Sequence, residues 1–132
     1  MRIVVLVLLF LGAHFAGTAF VPGPRASIVW PFGNDSRPLL AGVGGLPTQS
    51  GGVVTPVLAG LSVLAFVAAF AALVGILVPA EWFVPLVAAG SLTSTLLYLL
   101  FAGPLSILPI AIDLFLLWGV LINHWTVPVL RG

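Results

Sequence analysis

The chain has 132 residues, of which 61% are hydrophobic and only 5% charged, where soluble domains carry roughly 25% charged residues. Its charges are Arg2, Arg25, Arg37 and Arg131 against Asp35, Glu81 and Asp113, a net of +1 without lysine, which excludes both a nucleic-acid footprint and a basic helix lying along a membrane surface. Cysteine is absent, so disulfides, iron–sulfur ligation, covalent haem attachment and thiol catalysis are excluded together.

This composition belongs to an all-α integral membrane protein, a single domain over residues 1–132 with the lipid bilayer as its solvent. A bilayer core of about 30 Å needs about 20 apolar residues in a helix, and four segments qualify. The first runs from about Ile3 to Val21. Arg2 and the small residues of "AGTA" give it a superficial likeness to a signal peptide, but its apolar run exceeds the usual 7–15 residues of a signal core. With a start at Met1 it is expected to stay as a helix. The second segment runs from about Val54 to Val78, with Pro56 in the first turn and Pro79 as its stop. The third, about Trp82 to Phe101, opens beside Glu81, whose charge suits a helix N-terminus. The fourth, about Ile107 to Trp125, follows "AGPLS" with Ser106 as candidate N-cap.

Short connections at 79–81 and 102–106 predict that helices two, three and four are antiparallel neighbours in a four-helix bundle. Residues 22–53, between the first two helices, are crowded with Pro and Gly and oppose any long helix. Trp30 and Phe32, with Leu39 and Leu40, are too apolar for a solvated linker, so the loop is expected to contact the membrane interface or a partner through Trp30 and Phe32. Four spans place both termini on one side. The arginines divide almost evenly between the two sides, and the termini are assigned to the cytoplasm.

Depth follows from a rise of 1.5 Å per residue. His14 lies about 18 Å along the first helix from Arg2, and Asp113 lies at the same depth counted back from Trp125. Thr93, Ser94 and Thr95 reach about 17–20 Å from Trp82. These residues are expected to form one polar layer near the middle of the membrane, where ionisable groups are paired, neutralised or turned inward. Asp113 there either ties helix four to helix three through Ser94 or Thr95 or handles protons, and His14 is a neutral imidazole bonded to Asp113 or to a carbonyl. Ligation of haem or a chlorophyll-type pigment by His14 is the competing chemistry. It lacks a second histidine at matching depth, since His124 lies at the membrane edge. No cofactor or metal is therefore assigned. Pairs such as Ala13 and Gly17, Ala65 and Ala69, Ala68 and Ala72, and Ala71 and Gly75 read as close-packing contacts, while Trp82, Trp118, Trp125 and Tyr98 read as interfacial or packing residues. No nucleotide loop, paired catalytic carboxylates or internal repeat is present in the sequence.

The histidine of "GAHFAG", the exit "FVPGP", the Pro/Gly-rich loop and the final "LPIAIDLFLLWGVLINHW" together resemble small four-helix bacterial membrane proteins of the DoxX-like kind. The resemblance covers most of the chain and implies a multi-pass protein of the bacterial inner (plasma) membrane, and it carries over no functional residue. Two functions are compatible with these features. The first is a non-catalytic accessory subunit of a larger bioenergetic membrane complex, quinol-oxidising or photosynthetic, held to other subunits through its helix faces. The second is a stand-alone proton-linked transporter, or DoxX-like membrane protein, using His14 and Asp113.

Overall fold

The computed structural model describes residues 2–18, 37–38, 54–102 and 107–131, and these are all-helical apart from one two-residue strand pairing. Helix α1 is Arg2–Gly17, α2 is Val54–Val74, α3 is Phe83–Leu100, α4 is Ile107–Leu121 and α5 is the short Val127–Arg131. A 3-10 turn, Ala80–Trp82, leads into α3. Strand β1 (Arg37–Pro38) lies antiparallel to β2 (Phe101–Ala102), with Arg37 opposite Ala102. Trp30 and Phe32 lie outside the described residues.

The four longer helices form a closed ring in chain order: α1 packs on α2, α2 on α3, α3 on α4, and α4 returns to α1. Neighbours are antiparallel. Gly12 meets the Phe66 ring while Gly17, further along α1, meets Val63, earlier in α2. The buried positions explain the ring. They are Val5, Leu9, Gly12, Phe15 and Ala16 in α1, then Ala59, Ser62, Ala65, Phe66, Ala69, Ala72 and Leu73 in α2. In α3 they are Phe83, Val87, Gly90, Ser91, Ser94, Leu97 and Tyr98, and in α4 Pro109, Asp113, Leu116, Gly119 and Val120. Each set steps by three and four, the spacing that keeps one helical face on its neighbours.

The outward faces are apolar and carry large residues, while serines and an aspartate are turned inward beside the apolar core. α2 turns Ala59, Ser62, Ala65, Ala69 and Ala72 inward together with Phe66 and Leu73, and leaves Val57, Leu61, Leu64, Val67 and Phe70 outward, Leu64 being 70% exposed. Phe10 (63%), Leu92 (59%) and Leu114 (54%) repeat the pattern on the other helices. In water such a molecule would hide its large residues and show its polar ones.

Two apolar clusters fill the interior. The larger joins Val5 and Leu9 to Phe66, Leu73, Phe83, Val87, Leu116 and Val120, and it is closed by Trp125, Val127 and Leu130 at the α5 end. The smaller, Ala59, Leu97 and Tyr98 with Leu58 and Ile110 against it, lies toward the opposite end.

Several bounds differ from the sequence expectation, each for a local reason. α2 stops at Val74 instead of running to Val78, because Gly75 takes a left-handed conformation (φ 83°) and the Gly75 and Ile76 N–H groups both bond back to the Ala71 carbonyl. Leu77 follows with φ 61°, an uncommon conformation for a branched residue, in the turn that reverses the chain toward Pro79. α1 ends at Gly17, short of Val21, and residues 19–21 lie outside the described ones. α4 ends at Leu121, where His124 adopts φ 55° and the Trp125 N–H bonds to the Gly119 carbonyl at 3.0 Å. That reversal folds Trp125 onto α4 and aims α5, absent from the sequence expectation, back under the bundle.

Candidate functional site, a buried polar layer

Between the two apolar clusters each of three helices changes character over one turn. Ser62 falls between Ala59 and Phe66 in α2, Ser91 to Ser94 between Val87 and Leu97 in α3, and Asp113 between Ile110 and Leu116 in α4. Ser62, Ser91, Ser94 and Asp113 are all 0% exposed. α1 offers Gly12 near this level, leaving room for the Phe66 ring.

Where α2 meets α3, the Ser62 and Thr93 hydroxyls lie 2.7 Å apart. Each also reaches a carbonyl of its own helix, Ser62 Oγ donating to Leu58 at 2.8 Å and Thr93 Oγ1 to Ala89 at 2.8 Å. One of the two therefore gives its proton across the interface while the other bonds to backbone. A net hydrogen bond of this kind contributes on the order of 1 kcal/mol.

A second contact joins α3 to α4, where Thr95 Oγ1 donates to Asp113 Oδ2 at 3.4 Å, a long bond. Ser94 stands beside the same carboxyl, yet its Oγ meets no hydrogen-bond geometry. One turn further along α3, Tyr98 lies within electrostatic reach of Asp113 and ties α3 to α1. Its hydroxyl donates to the Phe15 carbonyl at 2.5 Å, and Thr18 Oγ1 donates to that carbonyl at 2.6 Å. The Phe15 carbonyl is available because α1 ends there, where the last carbonyls have no partner within the helix.

Three buried side-chain oxygens have no hydrogen-bond partner among the described residues: Asp113 Oδ1, Ser94 Oγ and Ser91 Oγ. Buried polar groups are paired in nearly every structure, so a cluster of orphans marks a place with a job to do. Ser91, Ser94, Thr95 and Tyr98 follow the spacing i, i+3, i+4, i+7 and make one polar stripe on α3. Among the described residues no group of three or more His, Cys, Asp or Glu side chains could hold a metal ion.

Of the residues singled out from the sequence, the structure brings Ser94 and Thr95 to Asp113 and turns Thr93 the other way, to Ser62. His14 is half-buried, its ring tilted against Phe15 at 5.7 Å between centroids. The described partners of Asp113 all lie on α3, and His14 enters as the neighbour of the residue whose carbonyl receives Tyr98. Sequence reasoning passed over Ser62, Ser91, Thr18 and the polar role of Tyr98. The helical spacing of Ser91, Ser94, Thr95 and Tyr98 was the available signal. Depth counting grouped residues by level and ignored the face on which each one lies.

Comparison with known proteins finds no match to a family model, a curated protein or a solved structure.

Proposed function

We propose that the chain is a multi-pass membrane protein of four spanning helices, α1 to α4, serving as a non-catalytic accessory subunit of a larger bacterial bioenergetic membrane complex. The observation that carries the reading is the outward face of all four helices, which presents large apolar residues such as Phe10, Leu64, Leu92 and Leu114 while the polar Ser62, Ser91, Ser94 and Asp113 are buried. Two stretches, Val57–Val74 and Ala80–Leu99, are long and apolar enough to cross a membrane. α1 and α4 are shorter, at 16 and 15 residues, or about 24 and 22 Å. Each closes the ring against its neighbours, and a shorter span is accommodated by local thinning or by association with other helices. In this reading the inner membrane houses the chain, as the DoxX-like resemblance implies, and both termini face the cytoplasm, the side chosen from the distribution of arginines.

Attachment to a larger assembly is supported by how little of the surface the chain covers for itself. In each of the two long spans only 39% of positions are buried. Between α2 and α3 the outer face carries a groove of about 410 Å³ with Ala65, Ala68 and Ala89 along it and Leu61, Leu64 and Leu86 beside them, a shape that admits close approach of another helix. The test is a photo-crosslinking amino acid at Leu64 in cells, followed by purification in mild detergent. The expected result is a covalent adduct with a second membrane protein that also co-migrates on a native gel. Adducts with lipid alone and migration as a lone chain would overturn the subunit role. So would proton-coupled uptake by the purified protein in liposomes, lost in Asp113→Asn, which would make it a transporter.

A further inference from the structure

The orphaned oxygens of the polar layer point beyond a packing role. Asp113 is 0% exposed, its Oδ2 has one long hydrogen bond and its Oδ1 has none. A carboxylate removed from water on such terms is neutralised by a proton or by a cation. The neighbours suit a proton. A hydroxyl is both donor and acceptor, whereas a carboxyl is acceptor-only when ionised and gains one donor when protonated. Thr95 beside Asp113 can therefore serve both states by turning about its C–O bond, and Ser94, which stands beside the carboxyl outside hydrogen-bond geometry, by turning about its Cα–Cβ bond, without movement of the backbone. A bare cation would ask for more than the three unpartnered oxygens among the described residues, since oxygen-ligated ions commonly take six or more ligands.

We propose that Asp113 is an exchangeable proton-binding site inside the membrane, served by the α3 hydroxyl stripe of Ser91, Ser94, Thr95 and Tyr98. On protonation an O–H bond forms at Oδ1 and one breaks on a hydronium ion, which leaves as water. Once the Ser94 side chain has turned toward it, the new acid donates to that hydroxyl. On release the Ser94 hydroxyl turns and donates to the carboxylate. Of the helices packed against α4, α3 contributes the titratable Tyr98, and α1 contributes His14 and, at its far end, Arg2. The inference goes beyond the subunit role and does not require transport.

The sequence holds two aspartates, Asp35 and Asp113, so the full chain carrying Asp35→Asn and ¹³C-labelled aspartate reports Asp113 alone. Its infrared spectrum is recorded in lipid vesicles. The expected result is a labelled C=O band of a protonated carboxyl at neutral pH, displaced when water is exchanged for deuterium oxide and replaced by carboxylate bands as the pH is raised. Carboxylate bands alone at neutral pH would overturn the proposal. So would a protonated band that deuterium oxide leaves unmoved, marking a sealed structural acid. A band abolished by sodium chloride but kept in choline chloride would make the site one for sodium.

Discussion

Phe66 shows how one side chain can set the distance between three helices. Its ring lies between Gly12 of α1, whose added Cβ would stand 3.0 Å from Cε2, and Gly90 of α3, whose Cβ would stand 3.1 Å from Cδ1. Both glycines allow this close approach, because a side chain at either position would press on the ring, which would have to give by a few tenths of an ångström. Phe66→Ala should empty this space and cost about 3–5 kcal/mol, as large-to-small core changes do. Gly12→Ala should cost about 1–3 kcal/mol through overpacking, and adding Phe66→Leu should recover part of that loss. Reversible unfolding in mixed micelles measures all three variants, and a Gly12→Ala protein as stable as the parent would contradict the packing described. The polar layer has its own residue-scale test. In a double-mutant cycle, Ser62→Ala and Thr93→Val should show a coupling on the order of 1 kcal/mol. Additive losses would mean that the 2.7 Å contact contributes nothing to stability.

At the scale of elements, the reversal after α4 depends on one glycine. A Cβ on Gly119 would fall 2.1 Å from Trp125 Cε3 and 2.3 Å from Cζ3, a clash that the rigid indole cannot relieve. Trp125 is packed edge-on to Phe115 and Trp118, with centroids 5.5 and 6.1 Å away, a geometry favourable for aromatic pairs. Gly119→Ala should therefore expel Trp125, free α5 and uncover Val127 and Leu130, which help close the larger apolar cluster. The measurement is tryptophan fluorescence with Trp82 and Trp118 replaced by Phe, leaving Trp30 and Trp125. A red shift and greater quenching by aqueous iodide are expected, and an unchanged spectrum would count against the corner. Much at this scale was legible in the sequence, because uninterrupted apolar runs bounded by proline and polar residues name helices whatever surrounds them. The ends were not. Gly75 and His124 terminate α2 and α4 through backbone conformation, a signal much weaker than the prolines that drew attention nearby. α5, five residues long, is held by burial of Val127 and Leu130, and local sequence says little about such a segment.

Taken whole, the molecule is a ring of four helices with a polar layer between two apolar clusters. The existence of polar residues at one depth followed from counting, since 1.5 Å per residue converts sequence distance into height. Their pairing did not follow, because azimuth depends on which face each helix turns inward, and in a chain apolar on every side hydrophobic periodicity does not reveal that face. Small residues point to it only in part: Ala59, Ser62, Ala65, Ala69 and Ala72 of α2 and Gly90, Ser91 and Ser94 of α3 lie inward, but Ala89 is exposed while Phe66, Leu73, Phe83 and Leu97 are buried. Trp30 and Phe32, expected to anchor the long loop, lie outside the described residues, and their role rests on sequence alone.

The central claim is that all four helices span, including α1 and α4, which are short for a bilayer. The natural chain has no cysteine, so single replacements report without background. In sealed, oriented vesicles, Arg2→Cys and Arg131→Cys are each treated with a membrane-impermeant maleimide from outside and again after lysis. Four spans require both positions to react from the same side. Reaction from opposite sides would leave an odd number of crossings and contradict the account.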